Sequence, residues 1–254
     1  MKIVKFILIL HLCFFTTWLH ASDDPLKSAL WAYISHKHLE GKPYTFDERI
    51  LVSGPDFAEN SAQVPIRIDA TQFPAEQIEK IIVFVDFNPI SYVLTFKPIQ
   101  QVKPIFSTKI KLEKASPVRA ALLDKKDTWH IGGVFIRASG GGCALPPSGD
   151  QQASLKNLLN TKSHVVARSS STRIKLKTVH PMSTGLQAGS EEFYVKNLTV
   201  LNDKEEVMAE IEMTAAVAQD PSFNLTSEIK SSVFLIELQD SKGNITKKRI
   251  ESND

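Results

Sequence analysis

The stretch IEKIIVFVDFNPISYVLTF, residues 78–96, decides the fold class of this chain. Its first part, residues 78–87, is nearly continuous in apolar residues, which is typical of a strand buried on both faces. Asn88 and Pro89 then give a turn signal, and a second apolar run at 92–96 follows. The stretch therefore predicts a β-hairpin inside a protein built mostly of strands.

Similar short runs of alternating apolar and polar residues continue along the chain, bounded by Pro, Gly, Asn and Asp. In the first half they lie at residues 50–52, 63–69, 80–86, 92–96, 106–112, 116–122 and 128–138. In the second half they lie at 173–179, 192–200, 207–216, 232–238 and 245–250. We therefore predict an all-β fold of two immunoglobulin-like antiparallel β-sandwich domains, with a short N-terminal helix within 25–39.

The alternation stops between residues 140 and 171, where Gly, Pro, Ser and Gln predominate. We predict a linker at 144–170, with one short helical segment at 151–159. The first sandwich then covers 22–143 and the second covers 171–254. The second domain is small for one core, so docking against the first would help it to bury apolar surface.

Residues 1–21 have the pattern of a secretory signal peptide, with a basic start, an apolar run and a small residue at Ala21. The run is too short for a membrane anchor, so we expect export to the periplasm and no membrane span after cleavage. Lys2 and Lys5 account for the formal charge of +2. The remaining charge is balanced, which gives no support for nucleic-acid binding.

The segment GGGCALPP, residues 140–147, holds the one cysteine outside the leader, since the other is Cys13. An unpaired cysteine in an oxidising compartment is tolerated, bonded to another molecule or used chemically. The glycines before Cys143 predict a flexible arm that exposes it. No activating residue is adjacent and Arg137 is the nearest charge, which fits a carrier whose partner supplies activation. The alternative is a flexible linker that merely contains a cysteine.

Two motifs together resemble a known family. The GGGC ending a β-sandwich domain is similar to the carrier arm of SoxY, and KTVHPMSTGL, residues 177–186, is similar to the SoxZ signature. The chain thus resembles the fused SoxYZ-like sulfur carriers associated with quinoprotein dehydrogenases, related to the thiosulfate-oxidising Sox system. The resemblance implies a non-catalytic carrier that holds a sulfur-containing or other thiol-linked group covalently and presents it to periplasmic oxidoreductases. The residues that carry it are the arm Gly140, Gly141 and Gly142, the carrier Cys143, and a docking motif of His180, Pro181, Met182, Thr184 and Gly185.

The chain departs from the free-tailed carriers after the cysteine, where residues 144–147 and a whole domain follow. An arm tethered at both ends, with two prolines, has a shorter reach. In the docking motif, a structural interpretation also stays open, because the proline restricts the residue before it to extended angles and the glycine can close a turn.

Three other interpretations stay open or are disfavoured. A cysteine hydrolase would pair Cys143 with a histidine, for which the chain offers His36, His38, His130, His164 and His180, but a triple-glycine approach does not give a nucleophile the rigid position it needs. In HKHLE, only His36 and Glu40 share a helix face, and two ligands do not make a metal site. We predict no metal and no cofactor. A periplasmic scaffold of two sandwiches remains an alternative.

Overall fold

The computed structural model of the protein describes residues 23–229, 231 and 233–251. The leader predicted at 1–21 lies outside the described residues. Helix α1, Trp31–His38, falls within the predicted N-terminal helical segment. Helix α2, Gln151–Lys156, lies within the segment predicted as a linker, and the Asp150 side chain caps it by accepting from the N–H groups of Gln152 and Ala153.

The described chain is mostly β, so the predicted all-β class is confirmed. The first half contains β1 Tyr44–Phe46, β2 Leu51–Ser53, β3 Phe57–Ala58, β4 Val64–Asp69, β5 Ile78–Val85, β6 Tyr92–Pro98, β7 Val102–Ile110, β8 Ser116–Asp124 and β9 Trp129–Ala138. The second half contains β10 Thr161–Ala167, β11 Thr172–Thr178, β12 Ser183–Thr184, β13 Glu192–Phe193, β14 Val195–Leu201, β15 Val207–Met213, β16 Ser222–Ser227, β17 Val233–Asp240 and β18 Ile245–Glu251.

The strands form two large sheets and one two-stranded ribbon. The ten-stranded sheet has the order β1-β9-β8-β5-β6-β15-β14-β17-β18, with β3 also paired to β9. The six-stranded sheet has the order β10-β11-β16-β7-β4-β2, and β12 pairs with β13. Among the described strands, only the short β1 and β3 pair in parallel, both with β9.

Strand β5 is buried on both faces, as its apolar run predicts. Its odd-numbered residues from Ile81 to Val85 face the main core between the sheets. Ile82 and Phe84 face a second core, where α1 covers the outer side of the ten-stranded sheet with Trp31 and Ile34. The hairpin is also confirmed, since β5 pairs antiparallel with β6 across the Asn88-Pro89 turn.

Both large sheets continue from the first half of the chain into the second. In the ten-stranded sheet, β6 pairs with β15, with Phe96 opposite Ile211. In the six-stranded sheet, β7 pairs with β16, with Phe106 opposite Leu225. The two sandwich halves therefore join edge to edge, and one buried apolar cluster runs through both.

The segment predicted as a linker at 144–170 is shorter in the structure, because β10 begins at Thr161 and pairs along its whole length with β11. The prediction was wrong here because the polar composition of this segment concealed an edge strand, which buries only one face. Strand β16 was also not predicted. No helix in the described part of the chain is both long and apolar enough to cross a bilayer.

Candidate functional site

Cys143 lies in a tight turn after β9, where the two halves of the chain meet. It is the only free cysteine among the described residues, and it is buried, with 1% of its surface exposed. The prediction of an exposed Cys143 is therefore wrong for this structure. The physical reason is that the backbone of the preceding glycines is hydrogen-bonded to the segment that follows β7.

Backbone N–H groups of the turn donate to that segment. The N–H of Gly141 donates to the carbonyl of Glu113 at 2.8 Å, and the N–H of Gly142 donates to the carbonyl of Leu112 at 3.0 Å. The N–H of Cys143 donates to the Glu113 carboxylate, Oε2, at 3.1 Å. The cysteine is thus fixed beside a carboxylate from a loop that lies far earlier in the chain.

We name the position of the turn at 140–143 against the segment after β7 the seat. The glycines fit this seat for steric reasons. Gly140 and Gly141 have φ of +99° and +76°, in the region that favours glycine. A Cβ on Gly142 would lie 2.1 Å from the carbonyl oxygen of Ser61 and 2.6 Å from that of Leu112. The triple glycine therefore permits close packing of backbone in this conformation, a role that the prediction of a flexible arm did not include.

Two charged residues flank the cysteine, and both were missed in the sequence. Glu113 accepts from the Cys143 N–H. Lys111 is 6% exposed, and its ammonium donates to the carbonyls of Met182 and, at 2.9 Å, of Ala215. Lys111 therefore ties the loop after β7 to the second half of the chain. Nothing in the local sequence around Cys143 signals either residue.

These surroundings keep the thiol protonated. Burial is the main cause that raises the pKa of Cys143 to about 12, the charge of Glu113 raises it further, and Lys111 offsets part of the rise. Burial lowers the pKa of Lys111 to about 8. At neutral pH the seated residue is thus a thiol rather than a thiolate, and it is a poor nucleophile.

The second half of the chain holds the segment around and after the cysteine. Thr184 donates its hydroxyl to the carbonyl of Cys143 at 2.6 Å. Gln187 donates to the carbonyl of Ala144 at 2.6 Å. Residues 144–148, which we name the cover, end at Ser148, whose N–H donates to Gln219 Oε1 at 2.7 Å while Gln219 Nε2 donates back to the Ser148 carbonyl at 2.8 Å.

A cavity of about 300 Å³ lies against the cover. Its lining includes Leu145, Pro146, Met182 and Gln187, and Lys111 is the one ionisable side chain among the described residues that line it. The cavity is therefore a largely apolar space with a single cationic group, next to the turn that carries the thiol.

Within the HPMSTGL motif, His180 and Met182 are buried, whereas Leu186 is exposed. The ring of His180 is 0% exposed, its Nδ1 accepts from the Met182 N–H at 3.0 Å, and it packs on Phe193. Burial lowers the pKa of His180 to about 4. Gly185 has φ of +69° and closes the turn before β13. These contacts fit the structural interpretation of His180. Thr184 contacts the Cys143 carbonyl, and the Met182 carbonyl accepts from Lys111.

The other histidines are elsewhere. His38 binds the Ser91 hydroxyl at 3.0 Å, and His130 lies between the carboxylates of Asp47 and Asp124. His36 and His164 lie on α1 and β10. The described residues contain no group of three or more His, Cys, Asp and Glu side chains that could hold a metal ion.

The fold and site define a class of protein: two β-sandwich halves with shared sheets, joined around one buried cysteine at their boundary. Comparison with known families then matches residues 36–143 to "Sulfur oxidation protein SoxY" and residues 162–251 to "Sulphur oxidation protein SoxZ". The chain therefore belongs to the SoxY and SoxZ families, as a SoxY domain followed by a SoxZ domain, and the resemblance seen in the two motifs is confirmed.

A solved structure of the sulfur carrier protein SoxY from Chlorobium limicola f thiosulfatophilum is similar at 18% identity. The match covers 42% of this chain and 94% of that one, with a TM-score of 0.36. No match was found among curated proteins. The family assignment rests on the two family matches and supports a carrier role in sulfur oxidation.

Proposed function

We propose that this protein is a periplasmic carrier that holds a sulfur-containing group covalently on the thiol of Cys143. The observation that carries the proposal is the position of this residue. Cys143 is the last residue of the SoxY match, and its carbonyl accepts a hydrogen bond from Thr184 of the SoxZ domain. The carrier residue therefore lies in contact with both domains of the fused chain.

Loading the carrier forms a sulfur–sulfur bond between Cys143 Sγ and the sulfur of a cargo thiol or anion. Two electrons leave in this step, together with the proton of the Cys143 thiol and, where the cargo is itself a thiol, its proton as well, so a partner oxidoreductase must accept the electrons. We propose that the partners are periplasmic oxidoreductases of a Sox-like or quinoprotein dehydrogenase system. This chain presents the sulfur and does not itself catalyse the reaction.

The buried seat is the resting state in this proposal. A thiol whose pKa is raised to about 12 reacts slowly, which protects it between visits to enzymes. Exchange with a partner requires the turn at 140–143 to leave the seat, and the glycines then permit the change in backbone angles. The cavity beside the cover does not include Cys143 in its lining, but Lys111 and Thr184, which contact the surroundings of the cysteine, line it.

Mass spectrometry of the protein isolated from periplasm under non-reducing conditions tests the proposal. We expect a reducible mass adduct that maps to Cys143, such as a persulfide, a thiosulfonate or a mixed disulfide. Cys143→Ser should have none, and Thr184→Val should keep the adduct while exposing the thiol more readily. The same spectrum tests the predicted cleavage after Ala21.

Absence of any adduct, together with an unchanged host phenotype in Cys143→Ser, would contradict the carrier proposal and leave a scaffold of two sandwiches. An ester or peptide hydrolase activity that disappears in the same variant would contradict it in favour of an enzyme.

A further inference from the structure

The outer face of the six-stranded sheet carries a concentration of positive charge. Side chains that point to solvent alternate with core residues on β4, β7, β10 and β11, and many of them are basic. We name this surface the basic face, and its members are Arg67, Lys103, Lys109, Lys162, Arg173, Lys175 and Lys177.

Strand register places like charges directly opposite one another on this face. Lys162 of β10 is opposite Lys177 of β11. Like charges at opposed positions of an antiparallel pair destabilise the sheet. No carboxylate occupies these opposed positions, so both lysines present their charge to solvent, where it can meet negative charge from outside.

Few carboxylates compensate this charge. Arg67 pairs with Asp69 at 3.3 Å, and Lys177 lies 3.7 Å from Asp220, at the ends of the strands. The other five basic residues form no ion pair with the described residues. A depression of about 430 Å³ on the same face includes Arg67 and Lys109 in its lining and no carboxylate from the described chain.

We propose that the basic face binds an acidic surface of a partner protein. The face spans five strand spacings, about 24 Å, which suits a protein patch. Apart from Leu51 on the edge strand β2, it has no exposed large apolar side chain within the described residues, so a bilayer would gain little from it. The strand residues on this side also include no aromatic ring on which bases could stack, other than His164.

The basic face adjoins the Cys143 site. Lys109 lies two residues before Lys111, which lines the cavity at the cover. Lys177 lies beside Asp220, the neighbour of Gln219, whose side chain holds Ser148. A protein bound on the basic face would therefore extend over the edge that the cover occupies. Complementary charge would raise the association rate and fix the orientation of such a partner.

Fluorescence anisotropy with a labelled oligo-glutamate peptide of about ten residues tests the proposal on the full chain at about 150 mM NaCl. The test variant is Lys162→Glu with Lys175→Glu, and the control is Lys125→Glu with Lys126→Glu in the exposed turn after β8. Both variants change the net charge equally. We expect roughly tenfold weaker binding in the test variant and less than about twofold in the control.

Thermal unfolding at low salt shows whether the test variant is folded. The substitution at position 162 places a carboxylate opposite Lys177, in a position where the unsubstituted chain has two like charges. An opposite-charge pair across neighbouring strands stabilises a sheet. The midpoint temperature of thermal unfolding should therefore be higher for the test variant than for the unsubstituted protein.

Equal losses of peptide affinity in the test and control variants would overturn the proposal, since binding would then follow net charge alone. Tighter binding to phosphatidylserine vesicles or duplex DNA than to the peptide, lost in the test variant, would also overturn it and assign the face to a membrane or a nucleic acid. Self-association in sedimentation that the test variant abolishes would instead assign it to a second copy of this chain. None of these readouts uses Cys143, so they do not depend on the carrier proposal.

Discussion

Cys143 is held by the shape of the backbone around it more than by its own side chain. The N–H of Gly142 and of Cys143 both bond to the segment after β7, and this packing leaves no space for a side chain on Gly142. Burial then raises the pKa of the thiol. Stability of the seat and low reactivity of the cysteine therefore have the same physical cause.

Gly142→Ala should loosen the seat and expose Cys143. The added Cβ would lie 2.1 Å from the Ser61 carbonyl oxygen, a clash that should cost about 1–3 kcal/mol of unfolding free energy. We expect faster alkylation of Cys143 by iodoacetamide at pH 8, because the exposed thiol regains a pKa near 8.5. The control is Gly141→Ala, which adds strain at positive φ but meets no atom within 4 Å. Equal alkylation rates in the two variants would show that the clash does not control exposure.

His180 should make the protein less stable in acid. Burial lowers its pKa to about 4, whereas the unfolded chain titrates near 6.5. As the pH falls below about 6.5, the unfolded state gains a proton that the folded state does not. The free energy of unfolding should therefore fall by up to about 3 kcal/mol between pH 6.5 and 4, and this contribution is fully present only above that window.

Urea unfolding at several pH values between 7 and 4 measures this effect. His180→Gln should have a shallower dependence than the unsubstituted protein. His38→Gln is the matched comparison, because burial also lowers the pKa of His38 to about 4. If the free energy of unfolding of His180→Gln falls with pH as steeply as that of the unsubstituted protein, the loss of stability in acid does not come from His180.

At the residue scale, the sequence points to Cys143 as the candidate carrier residue, which stays a prediction, but it does not reveal the environment of this residue. GGGC and HPMSTGL marked Cys143 and Thr184, which the structure brings into contact. Lys111 and Glu113 could not be predicted, because they reach the cysteine only through the tertiary path of β7 and the loop after it. The prediction that Cys143 is exposed was wrong because a run of glycines permits close backbone packing as readily as mobility. Which of the two occurs depends on the same tertiary neighbours.

At the element scale, elements with a strong local pattern were predicted and those dependent on neighbours were not. The apolar run of β5 and its turn into β6 identified a central hairpin, because a strand covered on both faces has few polar residues. Strand β10 exposes one face at the sheet edge and has a polar composition, so its sequence predicts a linker. Its pairing with β11 depends on a partner that local periodicity does not reveal.

The cover is a separate element, and the side chains of two glutamines bind it to the second half of the chain. Gln187 bonds the Ala144 carbonyl, and Gln219 bonds both the N–H and the carbonyl of Ser148. Removing both side chains, in Gln187→Ala with Gln219→Ala, should shift the local equilibrium toward an open cover and raise the alkylation rate of Cys143 about tenfold.

Global stability should change little in this double variant, which separates local opening from unfolding. Gln152→Ala on the exposed side of α2 is the control and should leave alkylation unchanged. If the double variant and the control react at the same rate, the glutamines do not hold the cover.

At the scale of the whole molecule, the two domains share both sheets. Strand pairing joins β6 to β15 and β7 to β16, and Phe96 packs on Phe106 within the core that runs through both halves. The sequence predicted two domains but not that their sheets are continuous, because pairing between distant strands leaves no local pattern. The covalent linker is therefore one of several connections between the halves.

Cutting the chain at Gly149 should not separate the domains. A specific protease site inserted there lies between Ser148 and α2, and after cleavage we expect both fragments to elute together in gel filtration. Thermal unfolding should remain a single transition, because the backbone hydrogen bonds between the halves persist. The uncut protein with the same insertion is the control.

Cleavage also gives the Cys143 segment a free end, like that of the free-tailed carriers, so alkylation of Cys143 should become faster. Separate elution of the fragments would show that the shared sheets do not hold the domains together without the linker.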